Sequence, residues 1–240
     1  MREWLDALLT VLVAPSCGAC GQPLLHPTRG CVCPGCWTAV VPVTLPLCDC
    51  CGNHLEAAGG SGLRARCLAC MTTVSAVDRS RAVGPHAGTL RAIVHALKYD
   101  GRRSVAEPLG ALMRHAGADL ISGCDVAVPV PLHVGRRRSR GFNQAEDLAR
   151  HLGPPVLGAL RRVRHTETQT ALPAPDRHAN VAGAFMATRH ASRLRGATVL
   201  LVDDVRTTGA TLEACATALK EAGVRAVFAL TAARVETPGS

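Results

Sequence analysis

The sequence predicts an α/β fold, a parallel sheet flanked by helices, preceded by a small cysteine-rich metal module. Three observations carry that prediction. Residues 199–202 form a short unbroken apolar run, the pattern of a strand covered on both faces. Similar runs alternate with helix-period segments from Val77 onward, the order that builds parallel sheets. The first third instead carries four Cys-x2-Cys pairs, a spacing that suits tetrahedral metal ligation.

A chain of 240 residues, 48% hydrophobic and 19% charged, has room for one packed domain plus a module. Aromatic residues make up only 2%, so the core must be Ala, Val and Leu, and few rings remain to stack bases of a single strand. The formal charge is +9 and almost wholly arginine, Lys98 and Lys220 being the only lysines. Residues 133–195 hold 12 Arg against four acids, Glu146, Asp147, Glu167 and Asp176. Such a field attracts polyanions: pyrophosphate, nucleotides or nucleic acid. The expected divisions are a helix over 1–16, a cysteine-rich module over 17–75, an α/β domain over 76–235 and a tail over 236–240.

Residues 1–14 read as a short amphipathic helix whose Leu5, Leu8, Leu9 and Leu12 face packs on the domain or on a partner. Asp6 interrupts the apolar run and no cleavage site follows, unlike a signal peptide. No stretch reaches the ~20 apolar residues of a membrane span, and the expected location is cytoplasmic. The cysteines then pair most simply in sequence, Cys17, Cys20, Cys33 and Cys36 for one site and Cys48, Cys51, Cys67 and Cys70 for another. An interleaved cross-brace would use the same residues, and Cys31 and Cys50 are surplus. All-thiolate sites leave no position for water, so one or two Zn2+ ions would be structural. A disulfide framework would need an oxidising compartment.

From Val77 to Val83 a strand is expected, then a helix over 90–98 that Tyr99-Asp-Gly101 breaks. Ser104 is placed as the cap of a further helix running to about His115. A strand over 125–132 follows, closed by Pro129 and Pro131. The loop after it bears Arg136, Arg137, Arg138 and Arg140, forked guanidiniums suited to pyrophosphate, and Asn143 can cap the next helix. Residues 161–180 read as a long lid-like loop. After the apolar run 199–202 come Asp203 and Asp204, then Thr207-Thr-Gly-Ala-Thr211 entering a helix. Acids at a strand end accept hydrogen bonds from vicinal hydroxyls, and a helix N-terminus with Gly209 cradles phosphate. A sugar phosphate fits both. A Walker loop and a GxGxxG fingerprint are absent. A last strand is expected over 224–232.

The stretch 199–211 resembles the phosphoribosyl pyrophosphate (PRPP) signature of type I phosphoribosyltransferases. Lys98-Tyr-Asp-Gly101, Val128-Pro-Val-Pro-Leu132, Arg140-Gly-Phe-Asn-Gln144, Thr168-Gln169, Arg177 with Asn180, and Phe185 stand around it in the order of the ComF family, which it resembles over nearly its whole length. The resemblance implies a type I phosphoribosyltransferase-like sheet in which Asp203 and Asp204 bind the ribose hydroxyls. It implies that Arg206, Thr207, Thr208, Gly209, Ala210 and Thr211 hold the 5-phosphate. Pro131, Leu132, His133, Arg136, Arg137 and Arg140 would form the pyrophosphate loop, and Arg164, Thr168, Gln169 and Arg177 a flexible catalytic loop, with Lys98 and Asn143 nearby. Mg2+ would accompany PRPP, and the process would be DNA uptake. The alternative is a non-catalytic protein whose zinc module and arginines bind single-stranded DNA or a competence helicase. In either case the zinc module is the expected cover over the base position.

Overall fold

The computed structural model describes residues 2–55, 65–99, 101–133, 135, 138, 141–164 and 183–235. Its centre is a parallel sheet of β1 (Arg79–Pro85), β2 (Val126–Pro129), β5 (Thr198–Arg206) and β6 (Ala226–Arg234), in the order β1-β6-β5-β2. β5 is internal because Val199, Leu200, Leu201 and Val202 are all fully buried and leave no face for water. Leu200 and Val202 pack with α4 (Gly88–Tyr99), α5 (Ala106–Ala116) and α7 (Gln144–Ala149) on one side. Val199 and Leu201 meet α8 (Ala210–Glu221) and the small hairpin of β3 (Leu160–Arg162) with β4 (Phe185–Ala187) on the other. A short α6 (Ala118–Ile121) joins α5 to β2.

The expected strands and helices are present with shifted ends. β1 starts two residues later than expected, and β5 continues through Asp203 and Asp204 to Arg206. Asn143 caps α7 as its sequence position suggested, its Oδ1 accepting from the Ala145 amide at 3.1 Å. Ser104 does not cap α5. A 3-10 turn over Arg103–Val105 places Val105 at that position, and the Ser104 hydroxyl donates to Cys31 Sγ instead. The long loop placed over 161–180 begins as strand β3, because Leu160 can bury itself beside Phe185 across a hairpin the chain closes only 22 residues later. Residues 165–182 lie outside the described set.

The cysteine region packs on the sheet at its β1 edge. Cys17, Leu24, Val32 and Cys36 are buried in the same cluster as α4 and α5. The chain then crosses the edge, where the Val43 amide donates to the Val83 carbonyl at 2.9 Å. Gly84 is required at the crossing, since a Cβ there would sit 2.2 Å from the Val41 carbonyl oxygen. Beyond it, the Ser80 amide donates to the Cys50 carbonyl at 2.6 Å and Arg81 Nη1 to the Asp49 carbonyl at 3.2 Å. The edge strand is thus covered rather than left open. Short helices α2 (Pro34–Thr38) and α3 (Leu68–Thr72) each begin right after a cysteine.

α1 (Arg2–Val13) forms as expected, and of the two expectations for its leucine face, packing on the domain is the one not seen. Its leucines do not pack inward; among its described residues the buried side chain is Asp6. The Thr28 amide donates to Asp6 Oδ1 at 2.9 Å, and His26 Nδ1 lies 3.3 Å from Oδ2. The Thr28 amide, against the opposing effect of burial, holds the Asp6 carboxyl below the usual range. Thr10 bonds to the Leu24 carbonyl from the same side. No helix among the described residues is long and apolar enough to cross a membrane.

Candidate functional site

All four sheet strands run the same way, so their carboxyl ends share one crevice. Consecutive strand residues point to opposite faces, which sends Asp203 and Asp204 to opposite sides of β5. Asp204 stands on the α4 side, where Lys98 Nζ meets its Oδ1 at 2.8 Å. Burial alone would lower the Lys98 ammonium, but the Asp204 charge outweighs it and raises the group. Asp203 stands on the α8 side, near Arg162 and Cys215, and its Oδ1 accepts from the Asp204 amide at 2.8 Å.

Burial and then the adjacent Asp204 charge push the Asp203 carboxyl up to about 7, against Lys98 and Arg162. The consequence for stability has a definite sign. A carboxyl raised in the fold stabilises fully below its unfolded pKa, and that contribution is lost as pH rises through about 7. Asp203→Asn is therefore expected to melt higher than the unaltered protein at pH 8 and to match it near pH 4. Melting curves across that range check it; a variant equally or less stable at pH 8 would contradict the placement of Asp203.

Past Arg206 the chain turns into α8. Gly209 takes φ 85°, a left-handed conformation that suits glycine, and its carbonyl accepts from the Glu213 amide at 2.9 Å. Thr207, Thr208 and Thr211 are half-buried around this helix start, with the Thr208 hydroxyl 3.4 Å from the Ala210 amide. A 12-residue helix opening beside a strand-end acid pair offers amides and a favourable dipole to an anion. Arg206 sends its guanidinium to the cysteine module, Nη1 donating to the Cys51 carbonyl at 3.0 Å.

At the neighbouring strand end, Pro131, Leu132 and His133 follow β2 half-buried. Asn143 Nδ2 donates to the Val130 carbonyl at 3.1 Å, holding the start of α7 against the end of β2. Arg136, Arg137 and Arg140 lie outside the described residues, as do Thr168, Gln169 and Arg177; Arg164 is exposed just past β3. Three residues that sequence reading passed over also face this region. His86, just after β1, is lowered by burial and by Lys98 and Arg91, and it feels the Asp204 charge. Arg162 and Cys215 face Asp203, and only the fold, with 40 residues between Arg162 and Asp203, brings them there.

Two cysteine groups could hold metal: Cys17, Cys20, Cys33 and Cys36, and Cys48, Cys51, Cys67 and Cys70. They group in sequence order, not as a cross-brace. Cys17 and Cys36 sulfurs are 3.8 Å apart, Cys20 and Cys33 3.9 Å, and Cys51 and Cys67 3.7 Å. A tetrahedron with Zn–S bonds of about 2.3 Å has edges of about 3.8 Å. These spacings fit zinc and are far too long for a disulfide. Burial pushes the Cys17 thiol up, but amide donors from Cys33, Cys20 and Ala19 outweigh it and bring it down to about 6. The Cys48 thiol is likewise brought down to about 7 by the Cys51 and Cys67 amides, against burial. The first group approaches α4 and the second approaches the end of β5. A Cβ on Gly18 would sit 3.1 Å from Ala96, two residues before Lys98, and Cys51 holds Arg206, two residues after Asp204.

Residues 138–238 match the phosphoribosyl transferase domain family. Over 224 residues, 88% of this chain and 93% of the relative, the sequence is 33% identical to DNA utilization protein YhgH of Salmonella typhimurium. It is 28% identical over 213 residues to Competence protein F of Haemophilus influenzae, covering 85% and 90% of the two chains. To Competence protein ComFC of Bacillus subtilis it is 38% identical over 98 residues, 41% of this chain and 39% of the relative.

Proposed function

The chain belongs to the family of Competence protein F and DNA utilization protein YhgH and carries a phosphoribosyl transferase domain, and from that membership we propose that it binds PRPP with Mg2+ in the crevice at the end of β5. The observation that supports this most is local: paired carboxylates on the last turns of a buried strand, followed at once by a glycine turn into the 12-residue α8. Asp203 and Asp204 would accept from the ribose 2- and 3-hydroxyls. The amides and hydroxyls of Thr207, Thr208, Gly209, Ala210 and Thr211 would take the 5-phosphate. The loop from Pro131 to Arg140, with His133, would take pyrophosphate. Mg2+ fits here by donor chemistry: the strand end offers carboxylate oxygens, Asp203 being raised first by burial and then by Asp204, and an oxygen-coordinated cation carried with pyrophosphate would favour its ionised form.

As an enzyme the protein would move the ribosyl carbon from pyrophosphate to a nitrogen acceptor. The carbon–oxygen bond to pyrophosphate would break as a carbon–nitrogen bond forms, the acceptor nitrogen's proton passing to the departing pyrophosphate or to solvent. Mg2+, where bound, would offset the charge of the leaving group. The side chains would work through positioning and fixed charge, with no covalent nucleophile. The cysteine module would cover the acceptor position. The names of the relatives assign them to competence and DNA utilization, and we extend that process to this chain. The arginine-rich span 133–195 supplies the charge for a nucleic-acid partner.

The test is calorimetric titration of PRPP with Mg2+ into the folded, zinc-loaded chain. Micromolar binding is expected. A flat titration up to millimolar PRPP would remove the ligand and leave the arginine surface as the place of function.

A further inference from the structure

The second cysteine group rests on the sheet through one turn, Cys48-Asp-Cys-Cys-Gly52. The amides of Cys50 and Cys51 face the Cys48 sulfur, and that of Asn53 faces the Cys51 sulfur. The Gly52 amide closes the turn on the Cys48 carbonyl at 2.9 Å. A trans peptide points its N–H and C=O in opposite directions, so amides turned to the metal side send their carbonyls to the sheet. Each of those carbonyls finds a donor there. Asp49 takes Arg81 Nη1 at 3.2 Å, Cys50 the Ser80 amide at 2.6 Å, Cys51 Arg206 Nη1 at 3.0 Å and Gly52 Arg234 Nη1 at 3.1 Å. The three arginines stand on the neighbouring strands β1, β5 and β6. Four thiolates outweigh the charge of one Zn2+, so a metal-loaded turn carries negative charge that cations behind it offset. The fit is tight: a Cβ on Gly52 would sit 2.5 Å from the Ser80 carbonyl oxygen.

Of the three, Arg206 also belongs to the turn that enters α8. It follows Asp204 by two residues and directly precedes Thr207, and the turn folds back over it: a Cβ on Gly209 would sit 3.4 Å from Arg206 Nε. Its guanidinium therefore has one edge under the Gly209 turn and another on the Cys51 carbonyl, with the Ser80 hydroxyl at 3.4 Å. The family resemblance makes Arg206 a ligand of the 5-phosphate, but the structure commits its guanidinium to the cysteine module.

We infer that Arg206 is a positioning residue: it braces the 207–211 turn against the metal-loaded 48–52 turn, so that phosphate affinity depends on the second metal and not on the first. This rests on the phosphate site proposed above. Coupling between two sites is reciprocal, so a bound 5-phosphate must in turn tighten the hold on that one metal ion.

Release of zinc from the fully loaded chain to a chelator, with and without ribose 5-phosphate, tests this. Without ligand, Arg206→Gln should speed the release of one zinc equivalent about tenfold, the low end of what outer partners of metal ligands carry, and leave the other unchanged. In the unaltered chain, saturating ribose 5-phosphate should slow that same equivalent alone. In Arg206→Gln, saturated at a higher concentration, it should slow neither. Arg206→Lys, which still reaches one carbonyl, should recover most of both effects. Arg102→Gln frees the Ser16 carbonyl beside the first group and should keep the protection. Release that Arg206→Gln leaves unchanged would overturn the inference; if affinity for ribose 5-phosphate falls all the same, Arg206 touches the phosphate itself. A ligand that binds yet protects both equivalents, or neither, would overturn it as well. If the unaltered chain binds no ribose 5-phosphate up to millimolar concentration, the phosphate site falls, and the brace stands or falls by the ligand-free rates alone.

Discussion

Asp203→Asn combined with Asp204→Asn is expected to weaken PRPP binding by roughly two to four orders of magnitude, taking about 1.5–3 kcal/mol for each charge-assisted hydrogen bond lost to a ribose hydroxyl. The single variants sharpen the test because their stabilities should move apart. Asp203→Asn relieves a carboxylate whose ionised form is disfavoured by burial and by Asp204, so it gains stability above pH 7. Asp204→Asn strands the Lys98 ammonium, which is only 20% exposed and loses its partner at 2.8 Å; a cost of about 1–3 kcal/mol follows. Binding should fall in both. Loss of affinity that tracked stability would instead mean that the variants merely loosen the fold, and calorimetry beside melting curves separates the two.

Removal of metal has the other large expected effect. Cys48→Ser, or chelation of the whole chain, takes away a thiolate from a group whose sulfurs sit at tetrahedral spacing and whose surroundings contribute little apolar burial of their own. Structural zinc binds with apparent energies of about 10–16 kcal/mol, so even partial loss should lower the melting temperature on the order of 10 °C or more. Metal analysis should find two zinc ions per chain, one for each cysteine group. The damage should also reach the crevice: Arg206 and Arg234 donate to the carbonyls of Cys51 and Gly52 at 3.0 and 3.1 Å. A chain free of metal that melted at the same temperature would end the structural role.

Features set by neighbouring residues were legible in the sequence. The buried run, the acid pair and the glycine turn of β5 and α8 lie within 14 residues, and the Asn143 cap depends on a residue two positions away. Cysteine spacing likewise announced the two groups in their sequential pairing. Features that depend on distant partners were not legible. Lys98 stood out by rarity, but its ion pair spans more than 100 residues. Strands β3 and β4 are three residues each and become strands only by pairing with one another. α1 shows the limit of periodicity: the pattern located the helix, and the inward face was decided by one carboxylate finding the Thr28 amide. Ser104 failed as a cap because Cys31, 73 residues away, offered its hydroxyl another acceptor.

The crossing of the cysteine region over β1 bears on the life of the newly made chain. Val43 occupies the Val83 carbonyl, and the Cys50 carbonyl takes the Ser80 amide. Both contacts come from segments that thiolate ligation would hold in place. A chain that has not loaded its metal would then present a bare strand rim, the surface along which β-proteins join into aggregates. Metal supply would thus govern solubility, and a zinc-starved cell would lose this protein to precipitation or proteolysis before its crevice had a chance to matter.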